Sequence, residues 1–187
     1  MAIVKVFNQV SLDGYFTDAR SDMSWAHKSD PEWQAFTKQN AKGGALLLFG
    51  RVTYEMMVSF WPTAAARKSA PEVAEVMNRM QKVVFSRTLA KADWANTTLV
   101  KSDPVEAVRA MKQRERQDLL VMGSGRIVAQ LAQAGLIDEY EIVVNPIVLG
   151  SGRTLFEGVD HRLDLKLSKT RQFSNGNVVL WYEYVRA

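Results

Sequence analysis

A short apolar run that leads directly into a glycine turn constrains this chain more than any other feature. Residues 118–133 read D-L-L-V-M-G-S-G-R-I-V-A-Q-L-A-Q. This pattern predicts a buried strand, a tight turn and the start of a helix. Two interpretations of the turn stay open. The positive end of the helix binds a phosphate or pyrophosphate, or the turn is a simple connection without a ligand, since a lone G-x-G is a weak motif.

The remaining chain alternates between predicted strands and predicted helices over its first two-thirds. Asp30-Pro31-Glu32 has the residues of a helix start: Asp as N-cap, Pro at the first position and an acid in the first turn. We therefore predict an α/β fold with helices on both faces of a mostly parallel sheet of about eight strands, and an antiparallel edge. The predicted strands are residues 3–10, 45–49, 82–86, 97–100, 119–122, 140–144, 163–173 and 178–185. The predicted helices, about five, begin near residues 31, 51, 71, 104 and 125, and residues 64–68 are predicted to be a mobile surface loop.

Composition narrows the classes of protein that need considering. The 187 residues are 47% hydrophobic and 24% charged, which predicts one globular domain over residues 1–187. No apolar run has the length of a membrane span, and the absence of cysteine rules out disulfides, so a cytoplasmic protein is expected. With two histidines, a multi-histidine metal site is not expected. The net charge of +4 suits an anionic ligand but is too diffuse to indicate nucleic acid.

Three predicted strands end in the same way, with a small residue and an arginine just beyond the strand. In an open α/β sheet, ligands bind at that carboxyl edge. Glycine turns at helix starts suit a pyrophosphate, and arginines with a serine hydroxyl suit a further terminal phosphate. The pattern therefore favours NADPH over a simple set of loop ends. The three ends are Gly50-Arg51, Ser86-Arg87 and Gly123-Ser124-Gly125-Arg126.

The order of several short motifs resembles a known family. The motifs are S-L-D-G (11–14), G-R-V-T-Y-E (50–55), V-V-F-S-R (83–87), V-M-G-S-G (121–125), L-I-D-E (136–139), N-P-I-V-L-G (145–150) and G-R-T-L-F (152–156). In this order they resemble the dihydrofolate reductase-like superfamily, in particular the reductase domain of bacterial riboflavin-biosynthesis proteins. The resemblance implies an NADPH-dependent reductase that is often a homodimer. Carried over by position, it implies cofactor contacts from Gly50, Arg51, Val52, Thr53, Ser86, Arg87, Gly123, Ser124, Gly125, Arg126 and Ile127.

Two departures separate this chain from the riboflavin-pathway enzymes. Those enzymes usually have a glutamate directly before the late glycine pair, where this chain has Met122. They also tend to have an acid and then Asn-Pro after the G-x-x-T turn, where residues 55–62 read E-M-M-V-S-F-W-P. The groups that would hold a ribosylated pyrimidine are therefore different here.

Candidate substrate residues follow from their positions relative to these turns. Asp30 is the candidate proton donor, because reducing a C=N bond needs a proton at nitrogen, although an N-cap is the simpler explanation of this residue. Flat rings would stack on aromatic side chains, unless those side chains serve only in packing. The candidates for substrate binding are Asp13, Trp25, Trp61, Phe156 and Glu157.

The leading hypothesis is an NADPH-dependent reductase acting on a flat heterocycle, such as a pteridine or a 5-amino-6-(5-phosphoribosylamino)uracil-like pyrimidine. The alternative is an NADP(H)-binding protein of the same fold without that turnover. A third option is reduction of another small molecule, such as a carbonyl compound. Nucleotide binding followed by an NADPH oxidation assay separates the first two.

Overall fold

The computed structural model describes residues 1–26, 30–41 and 44–186. Eight strands form one sheet in the order β5-β4-β3-β6-β1-β7-β10-β9, and β2 pairs with β8 in a separate two-stranded sheet. The strands are β1 Val4–Ser11, β2 Tyr15–Thr17, β3 Leu46–Gly50, β4 Lys82–Phe85, β5 Thr97–Val100, β6 Leu119–Met122, β7 Glu139–Asn145, β8 Arg153–Thr154, β9 Leu165–Gln172 and β10 Val178–Tyr184. The helices are α1 Pro31–Ala41, α2 Arg51–Phe60, α3 Ala64–Ser69, α4 Pro71–Arg79, α5 Pro104–Arg114 and α6 Gly125–Gln133, with a 3-10 turn at Ser24–Ala26.

The predicted α/β architecture is confirmed. The six strands from β5 to β7 in sheet order run parallel, and the C-terminal hairpin β9–β10 adds the antiparallel edge through pairing of β10 with β7. Strand β3 is buried on both faces because helices cover both sides of the sheet.

Alternate residues of the central strands feed two separate cores. On one face, Leu46 and Leu48 pack in the cluster that contains Val128 and Leu131 of α6. On the other, Leu47 and Phe49 pack with Tyr54 of α2 and Met77 of α4. Helix α1 covers that same second face farther along the sheet, where Trp33 and Phe36 pack on Val143 and Val179. The helices after β3 and after β6 therefore leave the sheet on opposite sides.

The prediction of a mobile loop at residues 64–68 is wrong. These residues lie in α3, whose N-cap Thr63 accepts a hydrogen bond from the amide of Ala66 at 3.3 Å. Ala66 is fully buried. Three successive alanines favour the helix and a capped first turn fixes its start, which outweighs the two prolines that flank the segment.

No helix within the described residues is long and apolar enough to cross a membrane.

Candidate active site

The three strand ends singled out by the sequence are neighbours in space. Gly50 is in register with Phe85, so the turn at Gly50 lies beside the turn at Ser86. Leu48 is in register with Val121, which brings the turn at Gly123 to the other side of Gly50. Adjacent strands are about 4.8 Å apart, so the three turns form a continuous row along the carboxyl edge.

The row includes the topological switch point of the sheet, where the helices that follow two adjacent strands lie on opposite faces. Helix α2 leaves β3 for one face and α6 leaves β6 for the other, although β3 and β6 are adjacent. A crevice between strand ends at such a switch point is where open α/β proteins bind their ligands. Both helices point their N-terminal, partially positive ends at this edge.

Close contacts inside the protein explain the late glycine turn in part. Gly123 has φ +60°, a left-handed conformation that glycine adopts readily. A Cβ on Gly125 would lie 2.6 Å from Cε1 of the buried ring of Phe16, so a side chain does not fit there. Both glycines thus serve the fold, Gly123 through its left-handed conformation and Gly125 through the space that it leaves for Phe16.

The start of α6 borders a cavity of about 240 Å³ with two arginines in its wall. Within the described part of the chain, no acceptor is found for the amides of Gly125 and Arg126, as expected for a first helical turn. Arg153 lies 3.8 Å from Glu157 and its guanidinium is 5.8 Å from the ring centroid of Phe16. The cavity is lined by Gly125, Arg126, Arg153, Thr154 and Glu157.

Arg153 and Thr154 were not predicted from the sequence as site residues. They form β8, a two-residue strand that pairs with β2 and is too short to show periodicity. The available signal was the G-R-T at 152–154, which repeats the glycine–arginine pattern of Gly50-Arg51.

The arginines of the first two strand ends differ in their surroundings. Arg51 donates to both carboxylate oxygens of Glu55, at 3.1 and 3.0 Å, within α2. Arg87 is exposed and has no ion-pair partner among the described residues. The hydroxyl of Ser86 accepts from the amides of Thr88 and Leu89, so it shapes its own turn. Arg87 is therefore the cation of this pair that is free to meet an anion.

Three of the predicted cofactor contacts are buried, and Gly125 is one of them. Ile127 is 6% exposed and its amide donates to the carbonyl of Ser124, so it offers a ligand no free group through that amide. Thr53 is 8% exposed and hydrogen-bonded to Ser124. Val52, in contrast, is exposed at the first turn of α2.

The predicted substrate residues do not form one cluster. Phe156 contacts the ring of Tyr140, on the α6 face, and Glu157 lines the arginine cavity. Asp30 belongs to the opposite face, at the start of α1. Trp61 packs against Met57 at the far end of α2, about 15 Å along the helix from Gly50. Trp25 is half-buried in the 3-10 turn and donates to the carbonyl of Asp22.

Asp30 is the N-cap of α1, as predicted, and its two carboxylate oxygens have different surroundings. Oδ1 accepts from the amide of Trp33 at 2.9 Å. Oδ2 is buried and has no hydrogen-bond partner among the residues that the structure describes. Since a buried polar atom without a partner is costly, Oδ2 marks a place where a donor from outside the chain would fit.

Asp13 holds the loop after β1 against the loop after β7. It accepts from the Ser11 hydroxyl at 2.6 Å and from the amides of Leu149 and Gly150 at 3.1 and 2.7 Å. The hydrogen bond from Ser11 and those from the two amides lower its pKa to about 2. Asp13 therefore joins the loop after β1 to the loop after β7 as a carboxylate.

The fold defines an open α/β protein with a crevice across the carboxyl ends of its central strands. The chain belongs to the RibD C-terminal domain family, whose model matches residues 2–179.

Relatives and solved structures agree with this assignment. The chain is 27% identical over 175 residues to the uncharacterized protein YyaP of Bacillus subtilis, covering 94% of this chain and 91% of that protein. A putative riboflavin biosynthesis protein from Shewanella sp. PV-4 has 25% identity and a TM-score of 0.75, with each chain fully covered. Dihydrofolate reductase from Enterococcus faecalis, solved with NADP(H), shares the fold at a TM-score of 0.64 and 14% identity, with 97% of this chain and 96% of that chain covered. The fold is thus that of the pyrimidine and pteridine reductases.

Proposed function

We propose that this protein is an NADPH-dependent reductase that transfers a hydride to a flat heterocyclic substrate. One observation carries the proposal: two helix N-termini meet at adjacent strand ends, and the one that starts α6 opens on a cavity with two arginines. The donors there are backbone amides and guanidinium groups, which suit phosphate oxygens. Gly50 and Gly123, which are partly exposed, leave room for the backbone of a dinucleotide.

The residues divide between the parts of the cofactor. Arg126 and Arg153 are proposed to hold the pyrophosphate together with the first amides of α6. Arg87, which has no ion-pair partner in the described chain, is proposed to hold the 2′-phosphate, with Arg51 contributing less because Glu55 already neutralises it. Bound there, NADPH supplies the hydride from its nicotinamide ring.

The substrate side is assigned to the α1 face. Asp30 Oδ2, buried and without a partner among the described residues, is proposed to accept an N–H of the heterocycle and to orient a water molecule. That water gives a proton to the nitrogen beside the reduced carbon and recovers one from the solvent. A pteridine or an aminouracil presents such N–H groups. Phe156 and Glu157 lie on the other face, so they are not part of this substrate assignment.

The second candidate, an NADP(H)-binding protein without pterin or pyrimidine turnover, is favoured by Met122. This residue packs against the apolar cluster of Leu47 and Phe49, so a thioether faces the space where the riboflavin-pathway enzymes usually place a glutamate. The nucleotide half of the site is unaffected by that difference.

Nucleotide titration followed by turnover assays tests the proposal. NADPH is expected to quench tryptophan fluorescence with at least tenfold tighter binding than NADH, because a charge-assisted phosphate contact is worth about 1.5 kcal/mol or more. Arg87→Ala should abolish that preference, whereas Arg162→Ala, an exposed arginine paired with Asp164, should not change it. Equal binding of both nucleotides by the wild type contradicts the 2′-phosphate assignment.

A panel of pteridines and pyrimidines then separates the two candidates. NADPH oxidation with at least one member, lost in Asp30→Asn without loss of NADPH binding, supports the reductase. Tight NADPH binding without oxidation across the panel supports the second candidate. Light scattering on the same samples tests the expected homodimer.

A further inference from the structure

The turns at the ends of β3 and β6 are locked to each other by a reciprocal contact. The amide of Gly50 donates to Oγ of Ser124 at 2.7 Å, and Oγ of Ser124 donates to Oγ1 of Thr53 at 2.8 Å. A Cβ on Gly50 would lie 3.1 Å from Ser124 Oγ, and a Cβ on Gly123 would lie 3.1 Å from Thr53 Cγ2. Each turn thus offers a glycine surface to the hydroxyl-bearing side chain of the other. We call these four residues the hydroxyl interlock.

Hydrogen-bond counting determines what Ser124 offers a ligand. A serine hydroxyl has one proton and two lone pairs. The proton is directed to Thr53 and one lone pair accepts from Gly50. Phosphate oxygens need donors, so Ser124 in this arrangement has nothing to give them.

The series of hydrogen bonds from Gly50 through Ser124 ends at the hydroxyl of Thr53. No acceptor for the Thr53 hydroxyl proton is found in the described part of the structure, and Thr53 is the third residue of α2. Its proton is therefore available at the positive end of that helix. Successive hydrogen bonds polarise one another, so the bond from Ser124 strengthens Thr53 as a donor.

The backbone of Ser124 indicates that its position is held in place. Its φ of 62° and ψ of 65° are left-handed, a conformation that a serine adopts at an energetic cost. The two hydrogen bonds of its side chain span 74 and 71 residues of sequence, and they anchor this turn to β3 and α2.

We propose that Ser124 is a positioning residue that fixes the two helix N-termini relative to one another and acts on the cofactor through Thr53. This inference rests on the proposed function, in which both N-termini contact one dinucleotide. It replaces the expectation that the serine hydroxyl binds a phosphate directly.

A double-mutant cycle on NADPH affinity tests the proposal. Ser124→Ala and Thr53→Val are each expected to weaken binding by about tenfold, the value of one good hydrogen bond. If Ser124 acts through Thr53, then Ser124→Ala in the Thr53→Val background should weaken binding further by less than about threefold. A combined loss of about a hundredfold, the product of independent effects, would overturn the proposal.

Ser124→Gly separates the hydroxyl from the backbone. Glycine suits the left-handed conformation, so a loss of affinity equal to that of Ser124→Ala supports a role of the hydroxyl, and wild-type affinity in Ser124→Gly contradicts it. Ser59→Ala is the matched control, since its hydroxyl only donates to the carbonyl of Met56 within α2. This control should bind NADPH as the wild type does.

Amide hydrogen exchange tests the interlock without a nucleotide. The amide of Gly50 should exchange at least tenfold faster in Ser124→Ala than in the wild type, because it loses its acceptor, while the amides of β6 keep their protection. Unchanged exchange at Gly50 would overturn the interlock. If wild-type protein binds no NADPH, the proposed function fails, and the exchange measurement still decides whether Ser124 holds the two turns together.

Discussion

The two edges of the parallel sheet differ in how their polar groups are paired. At the amino edge, Asp118 accepts from the amide of Ile3 and pairs with Lys5 at 3.0 Å. There too, Asp138 accepts from the amide of Val4 and pairs with Lys112. At the carboxyl edge, the buried oxygens Asp30 Oδ2 and Asn145 Oδ1 have no partner within the described part of the chain. The amino edge pairs its charged groups internally, although Thr97 Oγ1 at the start of β5 is buried there without a partner among the described residues. The carboxyl edge leaves two buried acceptors that a ligand could satisfy.

The comparison shows where stability and function are separated in this fold. Charges at the amino edge neutralise each other, so their removal should affect folding and leave binding unchanged. Free donors and acceptors at the carboxyl edge contribute little to folding, so their removal should affect binding alone. Four predictions test this division, in order of decreasing effect.

The largest effect is expected from Asp138→Asn. The variant leaves the Lys112 ammonium, whose side chain is 10% exposed, without its counter-charge, and should lower the free energy of unfolding by about 3 kcal/mol. Urea denaturation measures this. Asp164→Asn, which breaks an exposed pair with Arg162, should cost under about 1 kcal/mol. A change in NADPH affinity of folded Asp138→Asn would contradict the division between the edges.

The second prediction concerns the cavity at the start of α6. Arg126→Ala and Arg153→Ala should each weaken NADPH binding by roughly thirtyfold, equivalent to about 2 kcal/mol for a charge-assisted contact. Stability should change by less than about 0.5 kcal/mol, because both arginines are exposed. Titration and denaturation of the same samples provide both values. Destabilisation without loss of affinity would show that these arginines stabilise the fold and do not bind the nucleotide.

The third prediction concerns a tightly packed position at the carboxyl edge, Gly125. Gly125→Ala puts a methyl group 2.6 Å from Cε1 of Phe16, and overpacking of this kind costs about 1–3 kcal/mol. Adding Phe16→Leu should restore part of that loss, since it removes the clashing ring atoms. Thermal unfolding of the single and double variants measures the coupling, and strict additivity of the two changes would count against this contact.

The smallest effect is expected from acid titration of Asp13. Its folded pKa, about 2, is lower than its ordinary value of 3.8, so its contribution to stability is present above pH 3.8 and is lost as the pH falls through about 2. Asp13→Asn should therefore flatten the fall in stability between about pH 4 and pH 2. Chemical denaturation across that range measures how steeply the free energy of unfolding falls with pH. An identical slope in the variant would contradict the role of Asp13 in joining the two loops.

The sequence predicts the elements whose signals are local. The buried run of β3, the N-cap Asp30 and the glycine turn before α6 each depend on a few neighbouring residues, and each is found in the structure. The row of three strand ends was also predictable, because parallel strands bring their carboxyl ends to one edge.

What the sequence could not supply depends on contacts between distant segments. Whether the hydroxyl of Ser124 meets a ligand or Thr53 is decided by pairing across 71 residues. The separation of Phe156 from Asp30 follows from which face each segment covers, and that is fixed by tertiary packing. Strand β8 is two residues long, so Arg153 carried no periodic signal.

The central place of β1 in the sheet has a consequence for synthesis of the chain. Its two neighbours are β6 and β7, and Val4 is in register with Leu119, 115 residues later. At about 5–20 residues per second, β1 waits on the order of ten seconds for its first parallel partner. Within the eight-stranded sheet, β1 is therefore the strand that a nascent chain must leave unpaired for longest, whereas β3 can pair with β4 only 35 residues later.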